Sequence, residues 1–417
     1  MCGTVSEEQA ADPVLPDYGG ACLDSVVPAL LGHVMPDEAT GAANATNATR
    51  TTERPEPAWL PEAARRANQI VLLVVDGMGW SQVEAARDSI PTLSSGEMVQ
   101  ITSVVPTTTA TALTSISTGL PPASHGIVGY RLAITGSTGS RSADRRPVDT
   151  GPPGPEGAAV LNVLKWRTEH GDARLSLPPR KFQPSPAFCG LSVPSVTRAD
   201  FAATGFSAAH LDSARIIGWQ VPSTLVVAVR ELLAAGTPFV HAYYDGPDKV
   251  AHEHGLDEHY AAELRALDRL VADLLEVLPR GACLVVTSDH GQVQVGSSAR
   301  LPSKELLEAS WLISGEGRFR WFHARSGAHE ALHEAATSSH GHEAWVRTLE
   351  QIRDEGWFGG PLSTEVAGRL GDVALVAREP VAFLDPADTG ETRLAARHGS
   401  LTAAEMYVPL VALAPAS

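Results

Sequence analysis

Cysteine is scarce: the chain of 417 residues carries four, Cys2, Cys22, Cys189 and Cys283, far apart and without a CxxC pair. That spacing excludes a disulfide-stapled scaffold, a thiolate zinc site and a dithiol redox centre, and suits reduced thiols. No apolar run reaches the roughly 18 residues that a membrane span needs. The opening MCGTVSEEQAADPV has neither the basic nor the apolar region of an export signal. The expectation is a cytoplasmic protein without a membrane partner, in which the two sequons of NATNAT at 44–49 carry no glycan. Lysine is scarce too, at Lys165, Lys181, Lys249 and Lys304 alone, so arginine supplies nearly all the positive charge. The formal net charge of −16 opposes binding to duplex nucleic acid, because affinity for a polyanion grows with the cations that neutralise it. No internal repeat is present, which removes solenoids and propellers.

What remains is a globular composition, 43% hydrophobic and 19% charged, enough to build a large core. Residues 1–65 read as an N-terminal segment, with a short helical pattern in LDSVVPALLGHVM, followed by a polar linker expected to be mobile. Residues 66–417 read as one large domain. Two stretches interrupt it: a Gly-, Pro- and Arg-rich excursion near 131–160, and residues 292–370, which suit an appended subdomain or lid.

Within the domain, continuous apolar runs of strand length recur at NQIVLLVVD, VQITSVV (99–105), PFVHAYYD (238–245), ACLVVTSD (282–289) and GDVALVA (371–377). Such runs fit strands buried on both faces of a parallel sheet. Helical patterns alternate with them at 109–117, 223–235 and 257–278. In the last, Leu264, Leu267, Val271 and Leu274 share one face behind a cap at Asp257. Alternation of this kind implies a layered α/β fold.

Several of these runs end in groups that bind divalent metals. Asp76 closes VVDGMG, Asp248 and His252 follow the 238–245 strand in DGPDKVAHEHG, Asp289 and His290 close VTSDHG, and His398 lies in RHGSL. Singly, Asp-Gly after a strand is a turn signal. Together they lie where parallel strands gather ligands, at the C-terminal edge of the sheet. Asp248 and His252 are four apart and share a helix face, whereas His254 points elsewhere. Carboxylates and imidazoles without thiolates suit zinc, with manganese or iron as alternatives. Two such ions about 4 Å apart are the arrangement for in-line phosphoryl displacement.

A nucleophile is then needed, and VVPTTTATALTSISTG offers Thr107, Thr108, Thr109 and Thr111 between a strand and a helix. A helix N-terminus gives a phosphate free N–H groups and a positive dipole end. A neighbouring ion would supply the activation that a threonine hydroxyl lacks.

VVDGMG, PTTTATALTSISTGLPPASHGIVGY, DGPDKVAHEHG, SDHG and RHGSLTAAEMYVPL follow, in order and spacing, the motifs of the alkaline phosphatase superfamily. Over about 70–410 the chain most resembles its nucleotide pyrophosphatase/phosphodiesterase branch. The resemblance implies a layered α/β/α fold with a mostly parallel central sheet, alkaline-phosphatase-like, with inserted lid or cap segments. It implies Thr109 as the nucleophile of a two-step displacement on a small phosphate ester, with Thr107 and Thr108 as turn residues and Thr111 and Thr114 as packing hydroxyls. It implies one zinc on Asp76, Thr109, Asp289 and His290, a second on Asp248, His252 and His398, and a structural His125. The chain departs from the family at Tyr130, where an asparagine often donates to the phosphoryl oxygen; a phenol there would have a different reach.

The expected function is a metal-dependent phosphodiesterase. A phosphonate hydrolase or a phosphomonoesterase on the same site is the alternative, and a non-catalytic binding protein a remoter one. A sulfatase would need a nucleophile in C-x-P-x-R, which the chain lacks. Lys165, Trp166 and Arg167 in LNVLKWRT are candidate substrate contacts, set against an amphipathic structural stretch with solvated charges.

Overall fold

The computed structural model describes residues 12–36, 57–134 and 158–415. The linker around 37–56 and most of the Gly/Pro excursion, 135–157, lie outside them. Seven strands form the central sheet: β1 (Gln69–Val75), β2 (Glu97–Thr102), β3 (Pro194–Arg198), β4 (Arg215–Trp219), β5 (Phe239–Tyr244), β6 (Ala282–Ser288) and β7 (Tyr407–Leu413), in spatial order β2-β7-β6-β1-β5-β3-β4. β6, β1, β5, β3 and β4 run parallel, and β7 is antiparallel to both of its neighbours.

β1 is apolar throughout its interior because both faces are covered. Ile70, Leu72 and Val74 enter one core and Val71, Leu73 and Val75 the other. On the first face pack α1 (Leu23–Val34) and α2 (Thr109–Thr118), the latter buried at every residue. On the second face lies α5 (Glu258–Val277), capped by Asp257, whose carboxylate accepts from the His259 N–H at 2.9 Å. This is the expected α/β/α layering.

Two expectations need correction. The run 371–377 is not in the parallel sheet: Val373–Ala377 sits in a second, four-stranded antiparallel sheet with Ser310–Glu316, Phe319–Ala324 and Ala344–Thr348. An apolar run reports burial on two faces and not strand direction. Here Val373, Leu375 and Ala377 face one core and Ala374 and Val376 another. The run 99–105 contributes to β2, an antiparallel edge strand exposed at Glu97 and Gln100. The short helix expected in LDSVVPALLGHVM is α1. α1 buries Leu23, Val26, Val27, Leu30 and Leu31 in the first core, and Val14 N–H donates to Leu401 O at 2.9 Å.

Candidate active site

The parallel register sets the site. Val75 pairs with Ser288 on β6 and with Tyr244 on β5, so the next residues, Asp76, Asp289 and Asp245, emerge side by side at the C-terminal edge. Adjacent strands are about 4.8 Å apart, which brings Asp76 and Asp289 within reach of one ion. Gly77, at φ +72°, turns the chain there, and a Cβ would meet Gln292 Nε2 at 2.8 Å and Asp248 at 3.0 Å. Beyond β5, α4 (Gly246–His254) begins with Pro247 in its first turn and presents Asp248 and His252 on one face. Thr109 opens α2, with Thr108 as the extended N-cap residue.

These groups converge. His290 Nε2 is 3.2 Å from Thr109 Oγ1, 3.4 Å from Asp76 Oδ1 and 3.5 Å from Asp289 Oδ2. Asp248 Oδ1 is 3.4 Å from His252 Nε2 and 3.7 Å from His398 Nε2. Donor atoms of Asp76, Asp289 and His290 lie within 4.8 Å of one another, and so do those of Asp248, His290 and His398. His290 therefore stands between the two sets, its ring stacked 3.6 Å from that of His398.

Each imidazole is held by its other nitrogen. His252 Nδ1 donates to Ala396 O at 2.9 Å, His398 Nδ1 to Thr107 O at 2.8 Å and His290 Nδ1 to Gly291 O at 3.1 Å. A carbonyl only accepts, so these bonds fix the tautomer and turn the Nε2 lone pairs toward the carboxylates. Burial, then the neighbouring His290 and His252, pushes the His398 imidazole well below its ordinary value and keeps it neutral.

The carboxylates match this. Asp289 Oδ1 accepts from the Gly77 and His290 N–H groups at 3.1 and 3.0 Å, and Asp76 Oδ2 accepts from the Tyr243 hydroxyl. Their other oxygens, Asp76 Oδ1 and Asp289 Oδ2, are buried with no hydrogen-bond partner among the described residues. Burial, then the charges of Asp289 and Asp248, pushes the Asp76 carboxyl well above the carboxylate range; burial also raises Asp289. Clustered buried carboxylates with unsatisfied oxygens facing imidazole lone pairs are the donor set of a divalent cation.

From Thr109 a cavity of about 320 Å³ runs inward, bounded also by Asp76, Tyr243, Asp245, Asp248 and Lys249. Residues 70–401 match the family model of type I phosphodiesterases / nucleotide pyrophosphatases, which is most of the chain. The chain belongs to that family. It is a hydrolase of the phosphoric ester class.

Solved structures with this phosphodiesterase fold include murine ectonucleotide pyrophosphatase / phosphodiesterase 5, at 18% identity and a TM-score of 0.58, covering 84% of this chain and 88% of that one. An inactive threonine-to-alanine variant of the murine protein in complex with AMP aligns at 17% identity, with the same coverages and TM-score of 0.58. Phosphonoacetate hydrolase from Sinorhizobium meliloti, in complex with phosphonoformate, aligns at 19% identity and a TM-score of 0.56 over 84% of this chain and 91% of that one. No curated protein matches the chain in sequence at a significant level. Among the described residues no helix is long and apolar enough to cross a membrane.

The other candidates of this phosphodiesterase separate in space. Lys165 is exposed and borders the cavity. Trp166 is fully buried and does not line the cavity; its indole N–H donates to Leu177 O at 2.8 Å, and its ring meets Phe182 edge-on. Arg167 is exposed in a two-residue strand and does not line the cavity. Tyr130 does not line it either; its hydroxyl accepts from Asn162 Nδ2 at 2.6 Å, and burial pushes the phenol up to about 12. His254 stacks on His259 at 4.1 Å, away from the cluster. His125 is structural: Nδ1 accepts from Ile127 N–H at 3.1 Å, Nε2 donates to Ser115 Oγ at 2.9 Å, and burial lowers its imidazole to about 3.

Thr107 does more than fill a turn. Its hydroxyl donates to Ser400 O at 2.7 Å and accepts from Gly399 N–H at 3.0 Å, joining the Thr109 loop to the His398 loop. Sequence reasoning missed Tyr243, which orients Asp76, and Gln292, whose Nε2 donates to Asp248 Oδ1 at 2.6 Å. Gln292 carries a weak signal, three residues past Asp289 in one glycine loop. Tyr243 carries only its alternation with Asp245 along β5.

Proposed function

We propose that the chain hydrolyses small phosphate diesters by in-line displacement, with Thr109 as nucleophile and two divalent ions, zinc foremost, held by Asp76, Thr109, Asp289 and His290 and by Asp248, His252 and His398. The observation that carries this is the pair of unsatisfied buried oxygens, Asp76 Oδ1 and Asp289 Oδ2, converging with His290 Nε2 beside the Thr109 hydroxyl. Two ions so held would acidify the attacking hydroxyl and neutralise charge on the phosphoryl and leaving oxygens. Thr109 Oγ forms the bond to phosphorus as the bond to the leaving alkoxide breaks, and water then cleaves the phosphothreonine. The free N–H groups at the start of α2 donate to the phosphoryl oxygens. Tyr243 and Gln292 hold the Asp76 and Asp248 carboxylates in place. The inactivity of a threonine-to-alanine variant of a protein with this fold, caught with AMP, supports a threonine in this role.

A diester is favoured over a monoester because the cavity beside Thr109 gives a second ester group room and apolar walls.

Metal-analysed enzyme assayed on bis(4-nitrophenyl) phosphate, 4-nitrophenyl phosphate and phosphonoacetate tests the reading. The expected result is a kcat/KM for the diester about 10-fold or more above that for the monoester, a difference of the size pocket contacts supply. Faster cleavage of phosphonoacetate would make the chain a phosphonate hydrolase, and no turnover of any would make it a binding protein.

Chelation gives a second expected outcome. Stripping with EDTA abolishes turnover and lowers Tm, because unpaired carboxylates then face one another in the dry site. Zinc or manganese at 1,000-fold its Kd restores about 4 kcal/mol. Differential scanning fluorimetry with and without added metal measures it; unchanged Tm and activity would remove the ions from the mechanism.

A further inference from the structure

Thr108 is the N-cap residue of α2, extended at φ −130° and ψ 143°, yet its side chain accepts from no helix N–H. A threonine there ordinarily turns its hydroxyl onto the N–H two or three residues on. Thr204 and Thr348 do so in this chain, accepting from the Ser207 and Gln351 N–H groups at 3.0 and 3.2 Å. On α2 those N–H groups belong to Ala110 and Thr111, and among the described residues no acceptor meets them. Thr402, another N-cap threonine without a cap bond, shows what can draw a hydroxyl away: it donates to Glu405 at 2.6 Å.

Beside Thr108 the corresponding carboxyl is Glu316. It ends the strand Ser310–Glu316 of the second sheet and is buried, with neither oxygen hydrogen-bonded at close geometry among the described residues. The Thr108 hydroxyl and the Tyr130 N–H are turned toward it. The 398–400 loop also closes on it: Gly399 lies at φ +126°, and a Cβ there would meet Glu316 Cγ at 2.7 Å. The arginines nearby already have carboxylates. Arg131 pairs with Asp385 and Asp388 at 2.9 Å each, Arg318 with Glu405 at 2.8 Å and Arg320 with Glu391, which leaves Glu316 outside these pairs. Burial outweighs the Thr108 hydroxyl, Arg320 and the Tyr130 N–H and pushes the Glu316 carboxyl up to about 8, so it keeps its proton at pH 7.

We infer that Glu316 is a positioning residue: it holds the Thr108 hydroxyl off α2, so that the Ala110 and Thr111 N–H groups stay open to the phosphoryl oxygens. The inference rests on the hydrolase reading and gives the second sheet a part in it. An uncharged acid suits the task, because it can both donate to a hydroxyl and accept from it. A carboxylate would instead set a negative charge at the helix end that receives the phosphate. Without Glu316 the hydroxyl returns to the helix, and a phosphate has to displace it.

Inorganic phosphate, titrated calorimetrically into the metal-loaded full chain, is the probe. In Glu316→Met its Kd rises about 5-fold, the worth of a typical threonine cap. The KM for bis(4-nitrophenyl) phosphate rises by the same factor while kcat and bound metal hold, because ground and transition states both use the N–H groups. Glu316→Gln keeps a polar hydrogen and an accepting oxygen, and binds phosphate within about two-fold of the parent. The deciding variant adds Thr108→Val to Glu316→Met: with no hydroxyl left to cap α2, Kd returns to within about two-fold of the parent. A Glu316→Met chain with the parent Kd overturns the inference, as does weakened binding that Thr108→Val fails to correct. So does a glutamine variant as weak as the methionine one, or a parent that binds no phosphate. A parent that binds phosphate but turns over no diester sinks the hydrolase reading alone, and the same titrations still decide the role of Glu316.

Discussion

Thr109→Ala lowers kcat by about 10³-fold or more while the metal bound per chain stays at the parent level. The neighbouring hydroxyls of Thr107 and Thr114 are already engaged. Thr107 is engaged by Ser400 O and Gly399 N–H, and the Thr114 hydroxyl donates to Ala110 O within its own helix. The substitution is mild for the fold, because Thr109 is the first residue of a buried helix and alanine is a better helix former. Asp76, Asp289 and His290 still offer three ligands to the ion beside it. Thr109→Ser keeps the hydroxyl and retains most of the turnover. The measurement pairs steady-state kinetics with metal analysis of the same preparations. An alanine variant with parent-like kcat would move the nucleophile elsewhere, and one that loses metal would make Thr109 mainly a ligand.

The layering was legible because β1, β5 and β6 are largely apolar and buried on both faces, which asks for a sheet covered on both sides. The strand exits were legible for a related reason: Asp76 and Asp289 are the first charged residues after those runs, so the first charge marks the sheet edge. What stayed hidden depends on pairing. Pro194–Arg198 and Arg215–Trp219 are short and mixed, and Tyr407–Leu413 contains Pro409, so none announces itself as a strand. The antiparallel setting of Val373–Ala377 follows from partners at 319–324 and 344–348 that no local pattern names. Trp166 drew attention as an aromatic among charges, yet it is the one residue of Lys165-Trp166-Arg167 that the core takes in. The inner wall of the cavity was invisible for the same reason: His210 and His241 come from a helix and a mid-strand position, and only packing brings both to it.

Arg318→Met is expected to cost about 3–5 kcal/mol of stability, the usual penalty for stranding one member of a buried ion pair. Arg318 lies in the turn between Ser310–Glu316 and Phe319–Ala324, and both it and Glu405 are fully buried. Its Nε and Nη2 donate to the two Glu405 oxygens at 2.8 Å each, and Nη1 donates to Glu379 O at 2.9 Å and Val381 O at 2.7 Å. Glu405 in turn accepts from Ser400 N–H at 2.9 Å and the Thr402 hydroxyl at 2.6 Å. The pair thus fastens the second sheet to the loop that carries His398. Methionine fills much of the arginine's volume but leaves the Glu405 charge without its partner, which is where the cost arises. Adding Glu405→Met removes that stranded charge, so the double variant should recover a large part of the loss, and the difference between single and double variants measures the coupling. Urea unfolding of the four proteins, metal-loaded, reads it directly. A single variant within about 1 kcal/mol of the parent would show that the pair contributes no more than an exposed one. A double variant as unstable as Arg318→Met would place the loss in the two carbonyl bonds to Glu379 and Val381 instead.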